Sequence, residues 1–464
     1  MNQDDLTPEF VDRMVRERRE QRRRDRWTFW AMALVILMGA AARWWFLQTV
    51  NTQPVTDFHW YYQRASEIAQ GRGYQLDGVP TAYWPVGWPG FLGAMFKIFG
   101  TSVWTGKAVN FALSMAAIPL TFALGLRLFR SQATAILASL LVALHPGFIA
   151  YSGILASEPL FTVLTMGGAL WLLRGPDRPS GWALGGLAFG LACLVRPQAA
   201  ILPLLILLCL WLWDARHRRA HSLWRSIWIS HTAMMVVVGL WMIRCVVLMG
   251  GLFFVSTNGG DNLVIGAHDG ATGRYVNPDT LRPTNLSELG RDKAARELGK
   301  AWISNHKRAW LGLAAPKLEE AFLAGRDVAY WGFQKEFGRL TVPGVGKDKR
   351  QYLALRDLSV EFSRWLLYLT IFGMAACLAA QRSRRDAPNF PVTPLAMIGA
   401  SALVVVVFFG NSRFILPVVP FMAMWAAHGP VSLAKFFASL APPEAREPLS
   451  QHADRDASGV QHQA

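Results

Sequence analysis

Residues 27–48 read WTFWAMALVILMGAAARWWFLQ, an almost uninterrupted apolar run. A helix of roughly 20 mostly apolar residues is long enough to cross a lipid bilayer. Similar runs recur along the chain, in which 52% of the 464 residues are hydrophobic. Repeated apolar blocks of this kind predict an all-α polytopic membrane protein.

We predict about ten transmembrane helices, because about ten segments meet or approach the required length. They lie near residues 27–48, 101–127, 132–150, 154–173, 181–195, 197–213, 226–249, 361–380, 391–409 and 414–428. The first is predicted to remain a span, since no small-residue cleavage site follows it. The chain then divides into a basic N-terminal segment at 1–26, a transmembrane core at 27–249, a hydrophilic stretch at 250–355, C-terminal transmembrane helices at 356–428 and a tail at 429–464.

Basic residues predict the orientation, because cytoplasmic loops retain an excess of lysine and arginine. The segment 1–26 is rich in arginine, and counting spans from it places further basic clusters on the same side. These are Arg127 with Arg130, Arg174 with Arg178, Arg216 to Arg219, and Arg382 to Arg385. We predict a cytoplasmic N-terminus, a disordered cytoplasmic tail at 429–464, and a small extracytoplasmic domain at 250–355 that closes over the opposite face.

The net charge of +16 raises nucleic-acid binding as an alternative. Acidic residues interleave with the arginines of 1–26, and no aromatic stacking pattern accompanies them. Contact with anionic membrane lipids is therefore favoured, and no nucleic-acid partner is predicted. The four cysteines lie inside apolar runs without paired spacing, so packing is favoured over a disulfide or a zinc site.

The first outer loop, residues 49–100, has a pattern of its own. Residues 57–70 carry apolar side chains at three- and four-residue intervals, which is typical of a helix lying in the membrane interface. The apolar stretch 91–99 is too short to span comfortably, and the aromatic residues before it favour headgroup depth. We predict two interfacial helices in this loop, and a further helix across 292–311 in the outer domain.

Several short motifs occur in a fixed order along residues 27–428. They are an acid soon after the first span, Asp57, then YWPVGWP at 83–89, HPGF at 145–148, SEPLF at 157–161, LVRP at 194–197, WMIR at 241–244, TNGGDNL at 257–263 and SRF at 412–414. In this order the chain resembles GT-C glycosyltransferases, and in particular bacterial relatives of dolichyl-phosphate-mannose protein mannosyltransferases and lipid A aminoarabinose transferases.

The resemblance implies an enzyme of the cell envelope in the bacterial inner membrane. It would transfer a sugar, a hexose or a pentose, from a polyprenyl-phosphate carrier to an acceptor at the extracytoplasmic face. The acceptor would be a protein, as in protein O-mannosylation, or lipid A or a glycan. The alternative is a transporter or flippase of the lipid-linked sugar. Transporters place charges near the bilayer midplane between repeated halves, whereas here the unusual charges gather at one face and no internal repeat is seen.

Two acidic residues are the predicted catalytic groups. Asp57 suits a base that deprotonates the acceptor hydroxyl, although an aspartate there is also typical of a helix N-cap. Glu158 lies within an apolar run near the outer face, where an ionisable residue is costly and usually faces the bundle interior. We therefore expect Glu158 to shape or polarise the same pocket as Asp57.

Three arginines near outer ends of spans suit the donor phosphate, because the guanidinium fork matches phosphate oxygens. In order of preference they are Arg413, Arg244 and Arg196, with snorkelling to lipid headgroups as the alternative for any one of them. The remaining predicted pocket residues, for the acceptor or the sugar, are His59, Tyr83, Asn258 and Asn262. No metal site is predicted, since Phe58 follows Asp57 where many relatives carry a second acid; a need for a divalent metal ion is left open.

Overall fold

The computed structural model describes residues 8–174, 178–213, 220–383 and 391–440. The predicted basic clusters at 216–219 and 384–385, and the tail beyond 440, lie outside these residues. The protein is 76% helical, and its described strands form only one short hairpin.

The N-terminal part alternates long helices with a structured loop. Helix α1 (Pro8–Thr49) is followed by α2 (Thr56–Ala69), the hairpin of β1 (Gln75–Leu76) and β2 (Val79–Pro80), and α3 (Gly87–Phe99). The strands are antiparallel, with Gln75 opposite Pro80. Helices α2 and α3 pack against each other, and they are the two helices predicted for the loop 49–100.

The rest of the first half is a bundle. Its elements are α4 (Val103–Phe129), α5 (Gln132–Ala143), α6 (Pro146–Ala150), α7 (Glu158–Leu172), α8 (Pro179–Val195), a 3-10 turn (Pro197–Ile201), α9 (Leu202–Trp213) and α10 (Ala220–Met249). Helices α8 and α10 approach closely at Gly186, where a Cβ atom would lie 2.1 Å from the carbonyl oxygen of Ser230. Small residues allow such contacts between membrane helices.

The outer stretch and the C-terminal helices complete the fold. They comprise α11 (Gly259–Ile265), a 3-10 turn (Pro278–Thr280), α12 (Glu288–Asn305), α13 (Lys307–Gly312), α14 (Ala314–Phe322), α15 (Asp327–Gly332), a 3-10 turn (Gly346–Asp348), α16 (Lys349–Ser383), α17 (Val392–Val407), 3-10 turns at Ser412–Phe414 and Leu416–Val418, and α18 (Val419–Leu440).

Five helical segments in the described part are long and apolar enough to cross a membrane. They are Arg18–Thr49, Val103–Phe129, Leu223–Met249, Gly346–Ala379 and Ser412–Phe437. Four shorter apolar helices accompany them: Gln132–Ala143, Pro179–Val195, Pro197–Leu212 and Val392–Val407. The polytopic helical class is thus confirmed, and the count of about ten spans stays a prediction.

Three predicted segments differ from the structure. The run 132–150 is divided between α5 and α6, because the residue before Pro146 is disfavoured in a helix and Pro146 itself suits a helix start. The helix predicted at 292–311 is interrupted at His306. The tail predicted as disordered from 429 is instead helical as far as Leu440.

Helix α18 is the central helix of the bundle. In its candidate span 83% of the apolar window is buried, against 17–39% in the other four. It packs against α16, α5 and α4, and Phe421 and Trp425 are completely enclosed. The short turn that precedes it, Ser412–Phe414, is thereby anchored to the most buried element of the fold.

Candidate functional site

Four charged side chains from four separate elements meet at one end of the bundle. The Nη1 atom of Arg413 lies 2.9 Å from Oδ2 of Asp57, and its Nε atom lies 2.8 Å from Oε1 of Glu158. The Nη2 atom of Arg196 lies 2.6 Å from the same Oε1 atom. Two carboxylates therefore neutralise two guanidinium groups in one continuous network.

Access to this network is uneven. The side chain of Glu158 is 0% exposed, while those of Arg413 and Arg196 are 10% and 12% exposed and that of Asp57 is 24% exposed. A buried carboxylate needs such partners, because an unpaired buried charge is very costly. Glu158 thus holds the two arginines in place, and Asp57 is the more exposed of the two acids.

Asp57 lies in the first turn of α2, not at its N-cap. The N-cap position belongs to Val55, whose extended backbone precedes the helix without a side-chain cap. The N-cap alternative for Asp57 is therefore wrong, although a carboxylate in a first turn still gains from the helix dipole. Thr56, between them, has a φ of 44°, which is a strained value for a β-branched residue. Strain of this kind concentrates at functional sites.

Local sequence also fixes the two arginines. Arg196 ends α8 with an extended backbone (φ −148°, ψ 116°), as expected for a residue that precedes proline, and this places its side chain beside Glu158 and Ser157. Arg413 lies in a 3-10 turn, and its own backbone N–H group donates to the side chain of Asn411 at 2.9 Å.

Sequence analysis missed Asp327, which supports the turn of Arg413. Its Oδ2 atom accepts hydrogen bonds from the backbone N–H group and the hydroxyl of Ser412, at 3.2 and 3.0 Å. Burial raises the pKa of Asp327 above its ordinary value. No local motif marks this residue, because its partner lies 85 positions away.

Aromatic rings cover the guanidinium group of Arg413. Its Cζ atom lies 4.8 Å from the ring centroid of Phe58 and 6.0 Å from that of Trp331. Cation–π contacts of this kind are worth about 0.5–2 kcal/mol. Phe58, which is buried, is thus a wall of the site. Within the described residues, no group of three or more His, Cys, Asp or Glu side chains could hold a metal ion.

Arg244 is engaged elsewhere. Its Nη1 atom donates to the carbonyl of Thr81 at 3.0 Å, and its Nη2 atom donates to the carbonyl of Tyr74 at 2.6 Å. These bonds hold the β1–β2 hairpin against α10. The structure therefore gives Arg244 a role in supporting the hairpin. Its hydrogen bonds do not place it beside Arg413.

Two of the other predicted pocket residues, Tyr83 and Asn258, make hydrogen bonds of their own. The hydroxyl of Tyr83 donates to Asp261 at 2.7 Å, and Asp261 also binds Arg282. Asn258 is buried and accepts from Ser256.

His59 and Asn262 lie apart from these bonds. The ring of His59 packs edge-on against Phe337, and partial burial together with the charge of Arg64 lowers the pKa of this histidine. Asn262 lies half-buried on α11.

The carboxylate of Glu288 also connects the first loop to the outer stretch. It accepts hydrogen bonds from the hydroxyl of Thr81, the backbone of Ala82 and the hydroxyl of Thr257, at 2.5, 2.9 and 2.6 Å. Side chains therefore join the outer stretch to the first loop, and the predicted domain at 250–355 stays a prediction.

Known proteins resemble this chain in part of its sequence and in its fold. Residues 85–243 match the family profile described as dolichyl-phosphate-mannose-protein mannosyltransferase. The oligosaccharyltransferase AglB from Archaeoglobus fulgidus, solved with an inhibitory peptide and a dolichol-phosphate, aligns with a TM-score of 0.54 at 12% identity, over 94% of this chain and 54% of that one. A structure of the Archaeoglobus fulgidus oligosaccharyltransferase tethered to an acceptor peptide gives 0.54 at 15% identity, over 89% and 50%.

ArnT from Cupriavidus metallidurans, bound to undecaprenyl phosphate, gives a TM-score of 0.41 at 14% identity, over 90% of this chain and 80% of that one. No curated protein sequence matches the chain significantly. The chain spans about half the length of the archaeal oligosaccharyltransferase. Its fold is similar to that of the archaeal oligosaccharyltransferase, and the resemblance to GT-C glycosyltransferases inferred from the sequence is confirmed.

Proposed function

We propose that this protein is a glycosyltransferase that moves a sugar from a polyprenyl-phosphate carrier to an acceptor at the extracytoplasmic face of the bacterial inner membrane. The observation that carries the proposal is the contact between the accessible carboxylate of Asp57 and the guanidinium group of Arg413, 2.9 Å apart. A base and a phosphate-binding cation are the two groups that this transfer needs, and here they are neighbours.

In the proposed reaction Asp57 removes the proton from the acceptor hydroxyl while that oxygen bonds to the anomeric carbon of the sugar. The bond from the anomeric carbon to the phosphate oxygen breaks, and its electron pair stays on the polyprenyl phosphate. Oδ2 of Asp57 accepts from Arg413, so we assign the proton to Oδ1. Arg413 stabilises the charge that develops on the departing phosphate.

Arg196 is the second phosphate ligand in this scheme, because it shares Glu158 with Arg413. Arg244 ranks below both, since its donors are occupied by the hairpin. Acceptors of three kinds fit the proposal, namely a protein hydroxyl, lipid A and a glycan, with a hexose or a pentose as the sugar. Mass spectrometry of glycoproteins and envelope glycolipids, in cells with and without the gene, would identify the pair.

Removing Arg413 tests the donor site. Arg413→Ala is expected to weaken binding of undecaprenyl phosphate by roughly 10- to 150-fold, since a charge-assisted bond is worth about 1.5–3 kcal/mol. Binding would be measured on purified protein in nanodiscs of neutral lipid, with the thermal unfolding midpoint as a check on folding. Arg350→Ala, an exposed arginine at the start of α16, is the matched control. Equal affinity in both variants would contradict the proposal.

Labelling of single cysteines tests the topology. In a cysteine-free background, Thr280→Cys lies on an exposed turn of the outer stretch and Gln21→Cys lies on α1. A membrane-impermeant maleimide is expected to label position 280 in intact cells and position 21 only after lysis. The reverse pattern would place the site of Asp57 in the cytoplasm and overturn the extracytoplasmic assignment.

The transporter alternative predicts a different result in vesicles. Purified wild-type protein reconstituted with a lipid-linked sugar would then move that lipid between leaflets without transferring its sugar. The closed charge network at one end of the bundle favours the transferase instead, because a transport route between halves is expected near the midplane.

A further inference from the structure

An exposed tyrosine, Tyr275, packs against the segment that leads to Arg413. Tyr275 is 59% exposed, and its ring lies 5.8 Å from that of Phe409. Phe409 in turn lies 5.2 Å from Phe414, the residue after Arg413, and the Cζ atom of Arg196 lies 5.7 Å from the Phe414 ring. A row of three aromatic rings therefore runs from solvent to Arg196, and its innermost ring belongs to the residue next to Arg413.

The backbone holds Tyr275 firmly in this position. The N–H group of Gly410 donates to the carbonyl of Gly273 at 2.7 Å, which ties the segment of Tyr275 to the loop that carries Arg413. Gly273 has a φ of 85°, and a Cβ atom there would lie only 3.1 Å from Lys317, so glycine is needed. The ammonium group of Lys317 donates to the carbonyl of Val406 near the end of α17. Lys317 therefore connects the segment of Tyr275 to the helix that precedes the loop of Arg413.

The tyrosine also lies within the electrostatic field of the site. Burial raises the pKa of its phenol, and the negative charges of Asp57, Asp279 and Asp261 raise it further. The phenol therefore lies within the electrostatic influence of Asp57, while 59% of the side chain is exposed to solvent. The alternative is that Tyr275 is simply an aromatic residue at the depth of the lipid headgroups. Such residues do not require a backbone hydrogen bond to the loop that carries Arg413, as Gly273 makes here.

We propose that Tyr275 is the platform on which the sugar of the donor stacks. A pyranose or furanose presents one face of C–H groups, and an aromatic ring combines a large apolar face of negative potential with, in tyrosine, a polar tip. The platform would hold the sugar on the solvent side of the paired side chains of Asp57 and Arg413, and the tyrosine hydroxyl would bond the edge of the sugar. This inference rests on the proposed function and adds the contact that recognises the sugar.

Substitution of Tyr275 tests the platform by comparing a glycosylated carrier with the bare one. Purified full-length protein in nanodiscs would be titrated with undecaprenyl phosphate and with undecaprenyl phosphates carrying mannose, glucose or galactose. Wild type is expected to bind at least one glycosylated carrier about tenfold more tightly than the bare carrier. Tyr275→Leu should lose that difference, Tyr275→Phe should keep most of it, and both should bind bare carrier as wild type does.

Tyr368→Leu is the matched control, because Tyr368 is also exposed but lies on α16. Discrimination that persists in Tyr275→Leu would overturn the platform, and so would a wild type that binds all four carriers equally. Neither result bears on the binding of bare carrier through Arg413, so a failure of the platform is distinguishable from a failure of the donor site.

Discussion

Asp57→Asn is expected to lower sugar transfer by roughly 10²- to 10⁴-fold, the range typical of losing a positioned base. Asparagine keeps the shape of the side chain and can still accept the hydrogen bond from Nη1 of Arg413, so expression and carrier binding should be retained. Transfer would be measured with purified protein and the donor and acceptor that glycan analysis identifies.

The control for Asp57→Asn is Asp77→Asn, an exposed aspartate in the turn between β1 and β2 with a φ of 51°. Asparagine tolerates that backbone conformation as well as aspartate does. Near-full transfer by Asp57→Asn would rule out the base assignment, and equal losses in both variants would indicate damage to the first loop instead.

Glu158→Ala is expected to cost about 3–5 kcal/mol of folding free energy, because it leaves two buried guanidinium groups without their shared carboxylate. The measurement is the thermal unfolding midpoint of purified protein in detergent. Glu361→Ala removes an exposed partner of Arg364, and pairs of that kind are worth about 0–1 kcal/mol. If the two variants unfolded at the same temperature, Glu158 would not be the group that organises the site.

The convergence of the charged residues could be predicted from the sequence. Spans of membrane length with short loops fix which end of the bundle each residue occupies, and Asp57, Glu158, Arg196 and Arg413 were all expected at the same end. Their burial is consistent with the cost of placing an ionisable group in an apolar run.

The partners of these residues could not be predicted. Arg244 was expected at the same end, but it binds the carbonyls of Thr81 and Tyr74, and backbone oxygens carry no sequence signal. Asp327 begins the short helix α15 and Tyr275 lies in a loop of the outer stretch, and the positions of both depend on contacts with residues far along the chain. Periodicity describes helices, and it is silent about the loops that complete a site.

The central position of α18 has a consequence for biosynthesis. Arg413 precedes this last described helix, whereas Glu158 and Arg196 both belong to the first half of the chain and form a pair of their own. A nascent chain can therefore carry Glu158 into the bilayer already neutralised by Arg196. Asp57 gains its arginine only later, when the turn of Arg413 is anchored by the packing of α18 against α4, α5 and α16. A chain cut short before Ser412 would therefore keep the pair of Glu158 and Arg196 but leave the site that we assign to catalysis incomplete.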